Sequence, residues 1–203
     1  MSLTALPDRS ARREALLDAA DRIVQRYGPD ASMAAIAAEA GISKPILYRH
    51  FGDKGGLYAA VATRHTDRLL AVLQDALATK GTPRERVART VEAYLRTIEA
   101  EPQVYRFLVQ SDEMAQATAA AGQVQSFLAR LSELLATGIA AELGMSRGSL
   151  RAEVWARAIV GMVQRVGDWW IETGTPRRAQ VVAELTDLLW GAYADAAARD
   201  ARH

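Results

Sequence analysis

Residues 32–54, Ser-Met-Ala-Ala-Ile-Ala-Ala-Glu-Ala-Gly-Ile-Ser-Lys-Pro-Ile-Leu-Tyr-Arg-His-Phe-Gly-Asp-Lys, read as two short helices joined by a turn through Gly41. Ser32 can open the first by accepting a hydrogen bond from an orphaned backbone N–H, and Ile36, Ala37 and Ala40 then fall on its inner face. Gly41 ends it, because a helix C-terminus often needs a left-handed residue and glycine enters that conformation without a Cβ clash. Ser43 caps a second helix of little more than two turns, in which Leu47 and Phe51 recur at i, i+4 and point inward together. Lys44, Pro45, Ile46, Tyr48, Arg49 and His50 are left facing outward. Such a pair is a helix-turn-helix, whose second helix enters the major groove in DNA-binding proteins.

The surrounding sequence is helical as well. A first helix is expected from about residue 9 to Tyr27, with Leu16, Leu17, Ala20, Ile23, Val24 and Tyr27 on one face and Gly28 as its stop. A fourth starts at Asp53, an N-cap residue, and carries Leu57, Val61, Leu69, Leu73 and Leu77 towards Gly81. Thr82-Pro83-Arg84-Glu85 has the form of a capping box with proline in the first turn and opens a fifth. A short sixth follows Pro102, a seventh runs from about 112 or 122 to Leu143, an eighth spans about 150–172, and Thr175-Pro176 opens a ninth. The expectation is an all-α chain of about nine helices: an N-terminal three-helix domain over 9–52 and a helical domain over 53–200.

The 203 residues, 50% hydrophobic and 24% charged, have ordinary globular composition, not that of a disordered chain. No apolar run approaches the roughly 18 residues of a membrane span, and the N-terminus lacks the apolar core of a signal peptide. The absence of cysteine removes disulfides, thiolate nucleophiles and zinc-thiolate sites, which fits a cytoplasmic protein. His50, His65 and His203 have no metal-ligand spacing, so neither a metal nor another cofactor is expected.

Ile36-Ala37, Ala40-Gly41-Ile42-Ser43, Leu47-Tyr48-Arg49-His50-Phe51 and Lys54 resemble the TetR, or tetracycline-repressor-like, family of bacterial transcription regulators. The resemblance is strong over roughly 10–62; beyond that only length and helical texture agree. It implies a DNA-binding head followed by a helical ligand-binding and dimerisation domain. It also implies that Lys44, Pro45 and Ile46 enter the major groove while Tyr48, His50 and Lys54 hold the DNA backbone; Ser32 and Ser43 join them as contact candidates, and Arg49 can reach a base or a phosphate. Lysine can donate to guanine O6 or N7, proline and isoleucine offer only apolar contact, and tyrosine hydroxyl and imidazole N–H suit phosphate oxygens. A formal net charge of only +1 is low for a DNA binder. The cations nevertheless gather where a family member meets phosphates, at Arg9, Arg12 and Arg13 and again at Lys44, Arg49 and Lys54. Met33, Ala34 and Ala35 place no polar reader at the start of the supporting helix, so shape and backbone contacts should carry much of the specificity.

Gly144-Met145-Ser146-Arg147-Gly148 satisfies G-x-S-x-G, but a nucleophile elbow needs a strand before the serine and the preceding segment has helical period. Gly52-Asp53-Lys54-Gly55-Gly56 lacks the spacing of a phosphate loop. No enzyme is expected. In the second domain His65, Tyr94, Tyr105, Phe107, Gln110, Phe127, Trp155 and Trp169 are candidates to line a pocket for an apolar or amphipathic effector, with ordinary core as the alternative for each. Val154, Ala158 and Met162 on the eighth helix and Val181, Leu185, Leu188 and Leu189 on the ninth exceed the apolar surface one packing face needs, which points to a homodimer interface. The function expected is that of a dimeric, ligand-released repressor binding a palindromic operator on double-stranded DNA. The alternative is a helical ligand- or partner-binding module without operator specificity.

Overall fold

The computed structural model describes residues 9–113 and 119–200, with side chains over 10–109 and 122–192. Among them run nine helices and no strand: α1 Arg9–Tyr27, α2 Met33–Glu39, α3 Lys44–Phe51, α4 Lys54–Ala78, α5 Pro83–Ala100, α6 Pro102–Glu113, α7 Ala119–Glu142, α8 Leu150–Thr173 and α9 Arg178–Asp200. A 3-10 turn at Gly28–Asp30 joins α1 to α2.

Local chemistry starts and stops these helices. Asp53 accepts from the Gly56 amide at 2.7 Å at the head of α4. The capping box forms in both directions: Glu85 accepts from the Thr82 amide at 2.8 Å and Thr82 Oγ1 from the Glu85 amide at 3.3 Å. Pro176 does not open the last helix. Its carbonyl accepts from Trp170 Nε1 at 2.7 Å, which holds it in a turn, and α9 begins two residues later.

The chain divides into two compact units, with the division falling inside α4. One takes residues up to 66 together with 101–124, the other 67–100 and 125 onward. Beyond the expected head of 9–52, the compact unit around it also holds the first half of α4 and all of α6. Its core combines Leu16, Leu17, Ala20, Ile23 and Val24 of α1 with Met33, Ile36 and Ala37 of α2, Leu47 of α3, Leu57 and Val61 of α4, and Val104 and Phe107 of α6. Tyr58 meets the Phe107 ring edge-on, centroids 5.0 Å apart.

In the other unit α5 packs against α9 and α8. A Cβ at Gly167 of α8 would lie 2.9 Å from the Tyr94 ring of α5, so glycine lets these two helices close. Leu70 and Leu73 of α4, Ala93 of α5, Phe127 and Leu131 of α7 and Val160 of α8 form its core.

Candidate nucleic-acid interface

The turn between α2 and α3 is fixed by backbone geometry. Ser32 Oγ accepts from the Ala35 amide at 3.2 Å, as a cap should, and its hydroxyl proton stays available. At the other end of α2, Gly41 has φ +65°, and the Ile42 and Gly41 amides donate to the carbonyls of Ala37 and Ala38 at 3.0 and 3.1 Å. That is a Schellman closure, which an L side chain at position 41 would strain. Ser43 occupies the N-cap position of α3, but its hydroxyl caps nothing; the first turn is closed by its carbonyl alone. The side chain is therefore exposed and uncommitted to the helix.

Leu47 is fully buried and Phe51 half-buried against the head core, so the predicted inward pair holds α3 in place. Lys44, Pro45, Tyr48 and Arg49 are exposed, and Ile46 and His50 are half-buried. The junction to α4 is tight: a Cβ on Gly56 would come within 2.1 Å of the Phe51 carbonyl oxygen. Glycine at 56 thus lets the first turn of α4 abut the last turn of α3, and it delivers Lys54 beside the end of α3. Lys54 Nζ sits 5.0 Å from the Tyr58 ring centroid, and Arg13 sits over Phe51 at 4.9 Å.

The effector candidates fall in both compact units. His65 is buried in the head unit, with Nε2 3.2 Å from Asp21 Oδ1 and Nδ1 3.5 Å from Glu101 Oε2. Burial alone would raise the Asp21 pKa, but hydrogen bonds from His65 and from Arg64, at 2.8 Å, outweigh it and hold the carboxyl below its ordinary value. Arg64 also pairs with Glu14 and Asp18, which secures α4 to α1. Phe107 lies in the head core and Tyr105 is half-buried in the same unit. Tyr94 and Phe127 belong to the core of the second unit, Trp155 is half-buried, and Trp169 is 49% exposed. The Gln110 side chain lies outside the described residues. Sequence reasoning passed over a small cleft of about 170 Å³ lined by Trp170, Ile171, Pro176, Arg178 and Glu99. Adjacent tryptophans at 169 and 170 gave no sign of which one turns inward.

Among the interface candidates, Val181 and Leu185 are each only 4% exposed, because α9 buries them within its own unit. Val154, Ala158 and Leu188 are exposed, Met162 and Leu189 half-buried. Leu150, 76% exposed, extends the row of α8 that the sequence reading began at Val154. Gly144 and Gly148, with φ of +63° and +76°, bracket a plain turn between α7 and α8 with no strand before Ser146.

Known proteins add to this geometry. Residues 16–61 match the family described as bacterial regulatory proteins, tetR family, and residues 72–203 match a tetracyclin repressor-like C-terminal domain. The chain is 32% identical to the HTH-type transcriptional activator FasR of Mycolicibacterium smegmatis over 92% of its own length and 84% of that protein's. A TetR-like transcriptional regulator from Rhodococcus sp. RHA1 superposes with TM-score 0.66 at 31% identity, covering 93% of this chain and 98% of the other. FadR of Bacillus subtilis, solved with stearoyl-CoA, shares the fold at TM-score 0.65 and 16% identity, over 87% and 96% of the two chains.

Proposed function

The chain belongs to the tetR family of bacterial regulatory proteins, and from that membership we propose a cytoplasmic homodimer that reads a palindromic operator and is released from it by a small molecule. That it is a DNA-binding transcriptional regulator and not an enzyme follows from the family itself. The observation that carries the finer reading is the outward face of α3, where Lys44, Tyr48 and Arg49 stand exposed on a helix anchored by Leu47. Lys44, Pro45 and Ile46 read bases. Tyr48, His50 and Lys54 hold phosphates, with Ser32 and Ser43 as hydroxyl donors and Arg49 reaching a base or a phosphate. Residues 9–52 form the reading head and residues 53–200 serve effector binding and dimerisation. Among the described residues no helix is long and apolar enough to cross a membrane.

One helix-turn-helix spans few base pairs, so two copies are needed to read two half-sites. The exposed apolar residues of α8 and α9, Leu150, Val154, Ala158 and Leu188, suit the contact between copies. The effector is an apolar or amphipathic molecule; the stearoyl-CoA held by the FadR fold-relative supports that class. It acts by population shift, favouring a conformer in which the two heads no longer match successive major grooves. The coupling should be about 1–3 kcal/mol, and the operator must weaken effector binding by the same factor. Repression is the first reading of the sign; activation is the second, favoured by the activator from M. smegmatis.

A genome-wide binding map tests the whole reading. Enriched sites sharing an inverted repeat would support it, and in vitro transcription from those sites would give the sign. No enrichment of any sequence would leave a ligand- or partner-binding module without operator specificity.

A further inference from the structure

The cations of the head unit fall into two sets. Arg22 is taken up by Glu39 at 2.6 Å, and Arg64 by Glu14, Asp18 and Asp21. Arg13 is different: it is exposed, has no carboxylate partner among the described residues, and sits over the Phe51 ring. Phe51 is the last residue of the reading helix, so the stack ties a guanidinium of α1 to the far end of α3. With the N-terminal residues of that helix among base edges, its C-terminal end meets the groove wall, where the phosphates are.

We propose that Arg13, held over Phe51, is a backbone-phosphate ligand that binds without regard to sequence, and that Phe51 positions it. The proposal rests on the DNA-binding reading above. Stacking on the ring engages a face of the guanidinium, while its N–H donors project from the edge and stay free for phosphate oxygens. A free arginine would have to give up much of its rotamer freedom on meeting DNA; one already resting on a ring gives up less. Lys54 over Tyr58 repeats the arrangement at the start of α4, three residues beyond Phe51 in the chain. Arg12, the neighbouring exposed arginine, has no such ring among the described residues. Phe51 thus faces two ways, inward as part of the head core and outward as the rest for Arg13.

The test uses the full-length protein and fluorescence anisotropy over a salt series, with a mixed-sequence duplex and a duplex selected from a random pool. Arg13→Ala should weaken binding to both duplexes alike, by about tenfold near 0.1 M salt, and flatten the log–log salt slope by about one per bound head. Arg13→Lys should keep the slope and lose only part of the affinity, and Arg12→Ala should lose less than Arg13→Ala. Phe51→Leu keeps apolar bulk but removes the ring, so in a double-mutant cycle it should do little further harm once Arg13 is gone. Thermal melts of each variant separate binding from stability. An Arg13→Ala protein with an unchanged slope overturns the proposal, leaving Arg13 as a cover for Phe51. A loss confined to the selected duplex overturns it in favour of base reading, and strictly additive Arg13 and Phe51 effects overturn the positioning role. A wild-type slope near zero is a separate failure, since it removes the DNA-binding reading along with the proposal.

Discussion

The two compact units deploy their cations differently. In the second unit Arg84 pairs with Asp187, Arg86 with Glu142, Arg130 with Asp67, and Arg178 with both Glu92 and Glu99, each joining one helix to another. In the head Arg22 and Arg64 have that structural duty, joining α1 to α2 and to α4, while Lys44, Arg49 and Lys54 project from α3 and the start of α4. A net charge of +1 therefore says little about a DNA partner, because many of the cations are cancelled locally and those that matter are grouped. Placement decides, and placement comes from the fold.

The largest effect should come from treating α9 as the sequence alone suggested. Leu185→Glu puts an unpaired carboxylate at a position 4% exposed and should cost about 4 kcal/mol of stability, melting the second unit. Leu188→Glu, at 59% exposure, should stay folded and change the oligomeric state instead. Melting curves with sedimentation read both, and a monomeric but stable Leu185→Glu protein would break the distinction. Gly56→Ala comes next. Its Cβ meets a backbone carbonyl that cannot swing away, so a loss of about 2–3 kcal/mol is expected in chemical denaturation of the head.

The comparison is sharpened most directly by a matched pair. Tyr48→Ala or Lys54→Ala should weaken DNA binding by about 1–2 kcal/mol at unchanged melting temperature. Arg178→Ala should lower the melting temperature at unchanged DNA affinity, because it frees two carboxylates on α5. Equal effects of both kinds on binding would erase the contrast between the units. The smallest effect is acid dependence. Asp21 has a folded pKa below its ordinary 3.8, so its charge stabilises the head above that value, and the contribution disappears as pH falls through the folded pKa. Wild type should therefore lose stability below about pH 4 more steeply than Asp21→Asn, which lacks the group; parallel losses in acid melts would remove Asp21 as a cause.

What the sequence made legible was local. The α2–turn–α3 motif was readable because Ser32, Gly41, Leu47 and Phe51 act within a few residues of themselves, through caps, φ and helical period. The allegiance of α6 was not. Val104 and Phe107 mark an apolar face, and an apolar face does not say which core receives it. The same limit hid the burial of Leu185, since α9 has apolar residues on several rows and only packing against α5 shows which are covered. The Arg13 stack was hidden because residues 13 and 51 are related by nothing in the chain except the fold between them.

In α3, one side chain, Leu47, is wholly committed to the interior. Lys44, Pro45 and Arg49 can then be exchanged with little effect on stability, since surface substitutions away from special features usually stay within about 0.5 kcal/mol. Within a single helix of eight residues, what folds the protein and what is proposed to choose its DNA are written in separate letters. The head is thus a rewritable address: selection can send it to a new site on the chromosome without rebuilding the body that carries it.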